Sequence, residues 1–428
     1  MSDNVVQSDR RDFLKLGAAA AVTSALMTTG AYAAGSDEMK VGIIGCGGRG
    51  SGAGADVLRA AKGVRIWALG DAFEDRAKGA QRSLENESKD NEDIKKLDNK
   101  VEVAGRVFTG LDAYKKVIDS GVNYIILATP PGFRPAHIEA AINAGKTLFT
   151  EKPVAVDAPG IRKVLEAYEV AKKNNIGVGA GTQRRHQTGY LEVMKRIHGG
   201  EIGTFMGGHC HWNQGILWKT PRQEKWGDLE AQMRNWYNYT WLCGDHIVEQ
   251  HVHNIDVINW AAQAHPIGVL GMGYRTRTDP EFGHIYDFFS CDFEYADGVH
   301  VASTCRQISG CDNNVSEGVR GSKGWSEVNR YEINGKSVFN RKNDNAPYVA
   351  EHTDLIASIR KNEPINELKT VAESTMTAIM GRMSAYTGKP LTWEKALASR
   401  EVLMPENLSW DMKLAMQPVA MPGKTKFV

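Results

Sequence analysis

The densest cluster of groups able to move a proton lies in Gly244-Asp245-His246-Ile247-Val248-Glu249-Gln250-His251-Val252-His253-Asn254-Ile255-Asp256. Read as a helix, it puts positions 246, 249, 253, 256 and 260 on one face, with His253 one turn from Glu249. Imidazole titrates near working pH, so His253 can take a hydroxyl proton while Glu249 orients the ring and stabilises its cation. The same residues raise a metal reading. His246-x-x-Glu249-x-His251 misses the H-x-x-E-H pattern by one residue, and on a helix His251 points away from Glu249, so no metal is expected. A second candidate is Lys152 in Thr150-Glu151-Lys152-Pro153, directly after an apolar run. A lysine at a strand's carboxyl end can reach a crevice mouth and steady an alkoxide as hydride leaves carbon. Pro153 biases Lys152 towards extended backbone. A polar helix face and a turn lysine are the structural alternatives for these two sites.

A third motif supplies a place for a hydride carrier. Gly45-x-Gly47-x-x-Gly50, with Gly48 and Arg49 inside it, joins an apolar strand to a helix. The first glycine suits a tight turn, the second close approach of backbone to a pyrophosphate, and the third close helix packing. Asp71 stands 21 residues past Gly50, at the end of the next strand. There a carboxylate accepts ribose hydroxyls and repels a 2′-phosphate, which favours NAD over NADP. Trp212, Trp218, Trp226, Trp236, Tyr237, Tyr239 and Trp241 crowd one stretch with Arg222 and Arg234. Aromatic platforms suit the C–H faces of a sugar ring, and an aromatic core or oligomer interface is the alternative. Arg185, Trp212, Trp236, Tyr237 and His246 are the candidate substrate contacts. His209 and His211 alternate on a strand and read as wall residues.

The elements that must position these groups follow from patterning. Strands at 39–44, 64–70, 124–128 and 147–150 alternate with helices at 51–61, 74–86, 111–119 and one ending near 144, which predicts parallel βαβ units. Beyond about residue 155 come a helix (157–174), a strand (176–179) and longer β-branched and aromatic runs at 204–212, 267–276, 285–294, 298–306 and 325–339. The last closes on Asn334-Gly335, a hairpin signal. Helices are expected at 245–262, 350–361 and 370–386. The fold class is therefore α/β: a dinucleotide-binding domain over 38–155, then an α/β domain with an open, mainly antiparallel sheet over 156–428, with C-terminal helices able to pack back on the first.

Residues 1–33 read as an address. Arg10-Arg11 precede Asp12-Phe13-Leu14-Lys15, a short apolar run and Ala31-Tyr32-Ala33, the pattern of a cleavable twin-arginine signal. The apolar run is shorter than the roughly 20 residues that span a bilayer. Export by the twin-arginine machinery to the periplasm is expected, without a stable membrane anchor. The 428 residues carry 52 Lys+Arg against 51 Asp+Glu, so neither nucleic acid nor an anionic membrane is favoured as partner. A small uncharged substrate fits better. The six cysteines show no CxxC spacing and are expected to be free thiols.

Together the fingerprint, Ala128-Thr129-Pro130, Ala144-Gly145-Lys146, Glu151-Lys152-Pro153, Gly200-Glu201-Ile202-Gly203, His253-Asn254-Ile255-Asp256 and Ser384-Ala385-Tyr386-Thr387-Gly388 resemble the glucose–fructose oxidoreductase, inositol dehydrogenase and rhizopine-catabolism (Gfo/Idh/MocA) family. The resemblance implies a Rossmann domain, a sheet domain that often builds a homo-oligomer, and hydride exchange between a nicotinamide and a sugar or polyol carbon. By position, Lys152 matches the family's lysine and His253 its histidine. Glu249 stands where the family usually has aspartate, and Arg134 where a histidine is common, with His137 one turn later. The resemblance also implies cofactor contacts at Thr129, Pro130, Arg134, Glu151 and Lys152.

The expectation is thus an exported NAD-dependent oxidoreductase acting on a sugar, glycoside or cyclitol. Free NAD is scarce outside the cytoplasm, so the cofactor is expected to be bound before folded export and retained. Turnover would then be redox-neutral, through a second carbonyl substrate or through oxidation, elimination and re-reduction of one sugar, as in an NAD-dependent glycosidase or lyase. A sugar-binding protein on a retired Rossmann scaffold is the non-catalytic alternative.

Overall fold

The computed structural model describes residues 38–428, so the expected address at 1–33 lies outside the described residues. Strand β1 (Met39–Ile44), helix α1 (Gly48–Ala60), β2 (Val64–Asp71) and α2 (Glu74–Asp90) open the chain, followed by short strands β3 (Lys100–Val101) and β4 (Val107–Thr109). Next come α3 (Ala113–Ile118), β5 (Tyr124–Leu127), α4 (Arg134–Asn143), β6 (Thr147–Thr150), α5 (Ala158–Lys173) and β7 (Val178–Ala180). Their strands form one parallel sheet in the order β3-β2-β1-β5-β6-β7, with β4 beside β2. Tyr124-Ile125-Ile126-Leu127 is buried throughout, as a strand covered by helices on both faces must be. Chain order reverses across β1, since β2 lies on one side of it and β5 on the other. Such a switch point opens a crevice at the strands' carboxyl ends.

The parallel sheet continues past residue 155 to take in β7, and helices α6 (Thr188–His198), α7 (Asp228–Arg234) and α8 (Thr240–Cys243) follow it along the chain. The second unit then builds a nine-stranded sheet from β8 (Phe205–Gln214), β9 (Gly268–Tyr274), β10 (Phe288–Tyr295), β11 (Val299–Gln307), β12 (Asn314–Gly321), β13 (Gly324–Glu327), β14 (Glu332–Ile333), β15 (Lys336–Ser337) and β16 (Leu391–Thr392). It is antiparallel except where β8 runs parallel to β11. Strand β12 is absent from the sequence reading because Asn314-Val-Ser-Glu-Gly-Val-Arg-Gly has two glycines and few strand formers. Neighbours on both edges, β13 and β8, offset that poor propensity. The Asn334-Gly335 hairpin forms as expected, with both residues at positive φ.

The helix expected over 245–262 is two helices, α9 (His246–Glu249) and α10 (Val252–Ala262). Gly244 and Asp245 enter at φ 77°, and the turn ends where the His251 amide donates to the His246 carbonyl at 3.2 Å. This five-residue loop-back rotates His251 into the core. There its Nε2 meets Ser303 Oγ at 2.7 Å, and the ring is fully buried. Helix α11 (Pro347–Arg360) returns to the first unit, where His352 Nδ1 meets the Tyr124 hydroxyl at 2.8 Å and the Thr353 hydroxyl donates to the Ala60 carbonyl. Helix α12 (Leu368–Thr387) runs between the two units and is buried over most of its length. No helix among the described residues is long and apolar enough to cross a membrane.

Candidate active site

The glycine turn forms as its spacing requires. Gly45 sits at φ 91°, a conformation that L side chains rarely adopt, and a Cβ on Gly50 would lie 1.8 Å from the Gly45 carbonyl oxygen. At Gly47 and Gly48 the same test meets nothing within 4 Å. Two glycines are therefore needed for packing, and two leave backbone open to a cavity. Helix α1 starts there with no side-chain cap, so its first amides and the positive end of its dipole face the opening. The cavity, of about 430 Å³, is lined by the turn, Asp71, Thr129, Pro130 and His137, and from the second unit by Trp218, Met233, Arg234 and Trp236.

Asp71 is pinned by two amides, with Oδ2 accepting from Cys46 at 2.7 Å and Oδ1 from Phe73 at 2.9 Å. Burial pushes its carboxyl above the usual range against those hydrogen bonds and against Arg76. Arg49 and Glu151, both expected at the cofactor, pair with one another at 2.5 Å, and the Arg49 guanidinium lies 4.6 Å over the Tyr348 ring. Arg134, expected at the cofactor, is buried and donates to the Pro153 carbonyl at 2.5 Å, and it is not among the residues that line the cavity. The Thr129 hydroxyl meets His137 Nδ1 at 3.3 Å, and the His137 ring stacks on Tyr114 at 4.1 Å. Burial first, then Arg134, lowers the His137 pKa to about 3.

Beside this cavity the structure joins Lys152 to Glu249. Lys152 Nζ donates to the Glu249 carbonyl at 2.5 Å and to its Oε1 at 3.2 Å. The partner of Glu249 is therefore Lys152, and Glu249 Oε2 has no hydrogen-bond partner among the described residues. His253 stacks on Trp212 at 5.8 Å between centroids and 23° between planes. Its crowded surroundings, and then the positive charges of Lys152, Arg184 and Arg49, hold its pKa well below the imidazole range. That direction favours the uncharged imidazole, the form whose free nitrogen can accept a proton.

The other expected substrate contacts separate. Trp236 lines the cavity edge-on to Trp218. Tyr237 is 2% exposed, with its hydroxyl bonded to Gln307. His246 is fully buried, on Asp245 at 3.1 Å and 5.1 Å from the Phe289 ring. Arg185 is held bidentate by Asp256 at 2.8 and 2.9 Å. Burial keeps Tyr237 and His246 in the wall, whereas the half-buried Arg185 is engaged by Asp256. The break after Glu249 is why His246 does not share an open face with His253. Sequence reasoning missed Arg184, which pairs with Glu317 and lies 5.9 Å over the Trp212 ring, and also Phe73, Arg76 and Met233 in the cavity lining. Asn254 Nδ2 donates to Glu317 Oε1 at 2.6 Å, so β12 ties Arg184 to α10. His209 and His211 stack at 5.0 Å, and among the described residues no group of three or more His, Cys, Asp or Glu could hold a metal. All six cysteines are free.

Comparison with known proteins places this geometry. Residues 39–180 match an oxidoreductase family model with an NAD-binding Rossmann fold, and residues 190–327 match the GFO/IDH/MocA C-terminal domain. The chain belongs to this family. Inositol 2-dehydrogenase of Salmonella paratyphi B is 28% identical over 225 residues, 52% of this chain and 54% of that enzyme. That of Burkholderia lata is 29% identical over 264 residues, 61% of this chain and 66% of that enzyme. The chain thus spans about half of the first relative's length. The fold is shared with scyllo-inositol dehydrogenase from Lactobacillus casei, solved with NAD(H) and scyllo-inositol (TM-score 0.62, 17% identity, 83% of this chain and 99% of that one). It is shared equally with aldose-aldose oxidoreductase from Caulobacter crescentus complexed with glycerol (TM-score 0.62, 17% identity, 83% and 99%). The family gives the cavity its ligand class, a nicotinamide dinucleotide. The open backbone at Gly47 and Gly48, the uncapped helix start and Asp71 are the donors and acceptor that such a group needs.

Proposed function

We propose that the protein is an NAD-dependent oxidoreductase that moves hydride between the nicotinamide and a hydroxyl-bearing carbon of an uncharged sugar, glycoside or cyclitol. The observation that carries this reading is the Lys152–Glu249 pair, four residues from a His253 ring that stacks on Trp212. The bound cofactor supplies a hydride acceptor. His253 takes the hydroxyl proton, and Lys152, fixed by Glu249 through two contacts, donates to the oxygen as it becomes a carbonyl. In reverse, His253 returns the proton. Trp212, stacked on His253, offers a face to ring C–H groups. Each cation near His253 already has a carboxylate: Lys152 has Glu249, Arg184 has Glu317 and Arg49 has Glu151. A charged substrate would find no unpaired counter-ion, which supports a neutral polyol.

The relatives' names point the same way, towards inositols. Asp71 beside the cavity supports NAD over NADP. The twin-arginine address supports periplasmic export with the cofactor retained, and the exposed Leu270, Met272 and Tyr274 of β9 support a homo-oligomer. The test is a panel of inositols, aldoses and glycosides with NAD or NADP, with products identified by mass. Keto-polyol formation with NAD supports the reading. Cleavage of a glycoside without net NADH would replace it with the redox-neutral reading.

A further inference from the structure

The floor of the cavity belongs to the Rossmann unit, but its roof does not. Trp218, Met233, Arg234 and Trp236, all from the segment between β8 and α9, line the side facing Asp71 and Phe73. Asp71 is the ribose acceptor of this fold, so these residues stand over the adenosine end. The segment is fastened there by one pair. The Arg234 guanidinium gives two hydrogen bonds to Asp75, at 3.0 and 3.2 Å, and lies flat on the Phe73 ring at 4.0 Å. Glu230 holds the same guanidinium from behind at 2.8 Å.

Two other contacts brace it. A Cβ on Gly132 would lie 2.2 Å from the Trp241 carbonyl oxygen, so the segment's far end is seated against the Thr129-Pro130 turn with no space between. The chain after residue 400 clips the outer side, with Gln232 Nε2 donating to the Leu414 carbonyl at 3.2 Å and Trp410 packed 5.8 Å from Phe73. Leu229 and Met233 share an apolar cluster with Phe73 of the first unit and Leu414 of the tail.

We infer that Arg234 and Asp75 form a latch that keeps the dinucleotide in place. The second unit completes the nucleotide site, and the nucleotide leaves only when this pair parts. The inference rests on the reading of the cavity as an NAD site and adds to it a release step controlled from the other domain. It gives a physical basis for a cofactor that stays bound through turnover.

The experiment is stopped-flow release of NADH, followed by its fluorescence when excess NAD is mixed with the NADH-loaded full-length protein. Asp75→Ala, on a largely exposed side chain, should speed release about three-fold, the size of one exposed pair. Arg234→Ala, which also loses the stacking on Phe73, should speed it about ten-fold. The double variant should release no faster than Arg234→Ala alone, because both act on one latch. Release within two-fold of wild type in both single variants, with unchanged circular dichroism, overturns the latch and leaves the NAD reading standing. If Arg234→Ala fails to fold, Asp75→Ala decides by the same criterion. A wild-type protein that binds no NADH overturns the NAD reading, and the latch with it.

Discussion

At the scale of single residues the site works by pairing. In the proposed mechanism Lys152 serves as the donor because Glu249 holds its ammonium in place, and His253 serves as the base because its surroundings favour the uncharged ring. Lys152→Ala should lower kcat about 10²- to 10³-fold while NADH still binds, as measured by steady-state rates and fluorescence titration. Equal losses in binding and rate would instead make Lys152 a structural residue. The direction of the His253 shift also sets a pH prediction. The base must be unprotonated, so activity falls only as pH drops through its pKa. With that pKa depressed, kcat/KM should show no acid limb near the ordinary imidazole value of about 6.5. A limb at 6.5 that vanishes in His253→Ala would contradict the neutral, crowded ring. Asp71→Ala should bring NADP turnover up towards that of NAD, read from the ratio of their kcat/KM values.

At the scale of elements, what the sequence makes legible is what is local. The fingerprint, the strand before it and Asp71 lie within 33 residues of β1, and all formed as their spacing demands. The same logic gives Gly50→Ala a definite outcome. Its Cβ would strike the Gly45 carbonyl, so stability should fall by about 1–3 kcal/mol and NADH affinity with it, by denaturation and titration. The segment over 245–262 shows where local reading stops. Periodicity put His246, Glu249 and His253 on one face, but the turn at 250–251 buries His251 against Ser303 and hands Glu249 to Lys152, 97 residues away. Arg184 and Glu317 are 133 residues apart, on a 3₁₀ turn and on a strand with poor propensity. No window of sequence brings them together.

Another element-scale consequence concerns the joint between units. His186, on that same 3₁₀ turn, is bonded by Asp354 of α11 at 2.6 Å and by Glu367 at 3.1 Å. Burial opposes its charge, yet these two carboxylates raise its pKa to about 10. A folded-state pKa above the unfolded one gives stability that is complete below about 6.5 and is lost as pH rises towards 10. Denaturant midpoints should therefore fall between those pH values in wild type, and His186→Gln should flatten that dependence. An unchanged slope in the variant would show that the pairs contribute nothing to the joint.

At the scale of the whole molecule, the two units have separate tasks and a shared cavity. The parallel sheet supplies the crevice and Asp71. The second unit supplies His253, Glu249 and Trp212 from around its mixed sheet, as well as the roof. Near-zero net charge agrees with the paired cations around His253 and with a neutral substrate. The central claim is hydride exchange between a nucleotide held in this cavity and a polyol. Its most direct measurement is a difference spectrum at 340 nm of the purified protein, with native mass spectrometry of the same sample, on adding inositols or sugars without NAD. The account predicts a protein-bound nucleotide and an absorbance rise with at least one polyol, lost in His253→Ala. Absence of bound nucleotide, with no change at 340 nm for any polyol even when NAD is added, would contradict it.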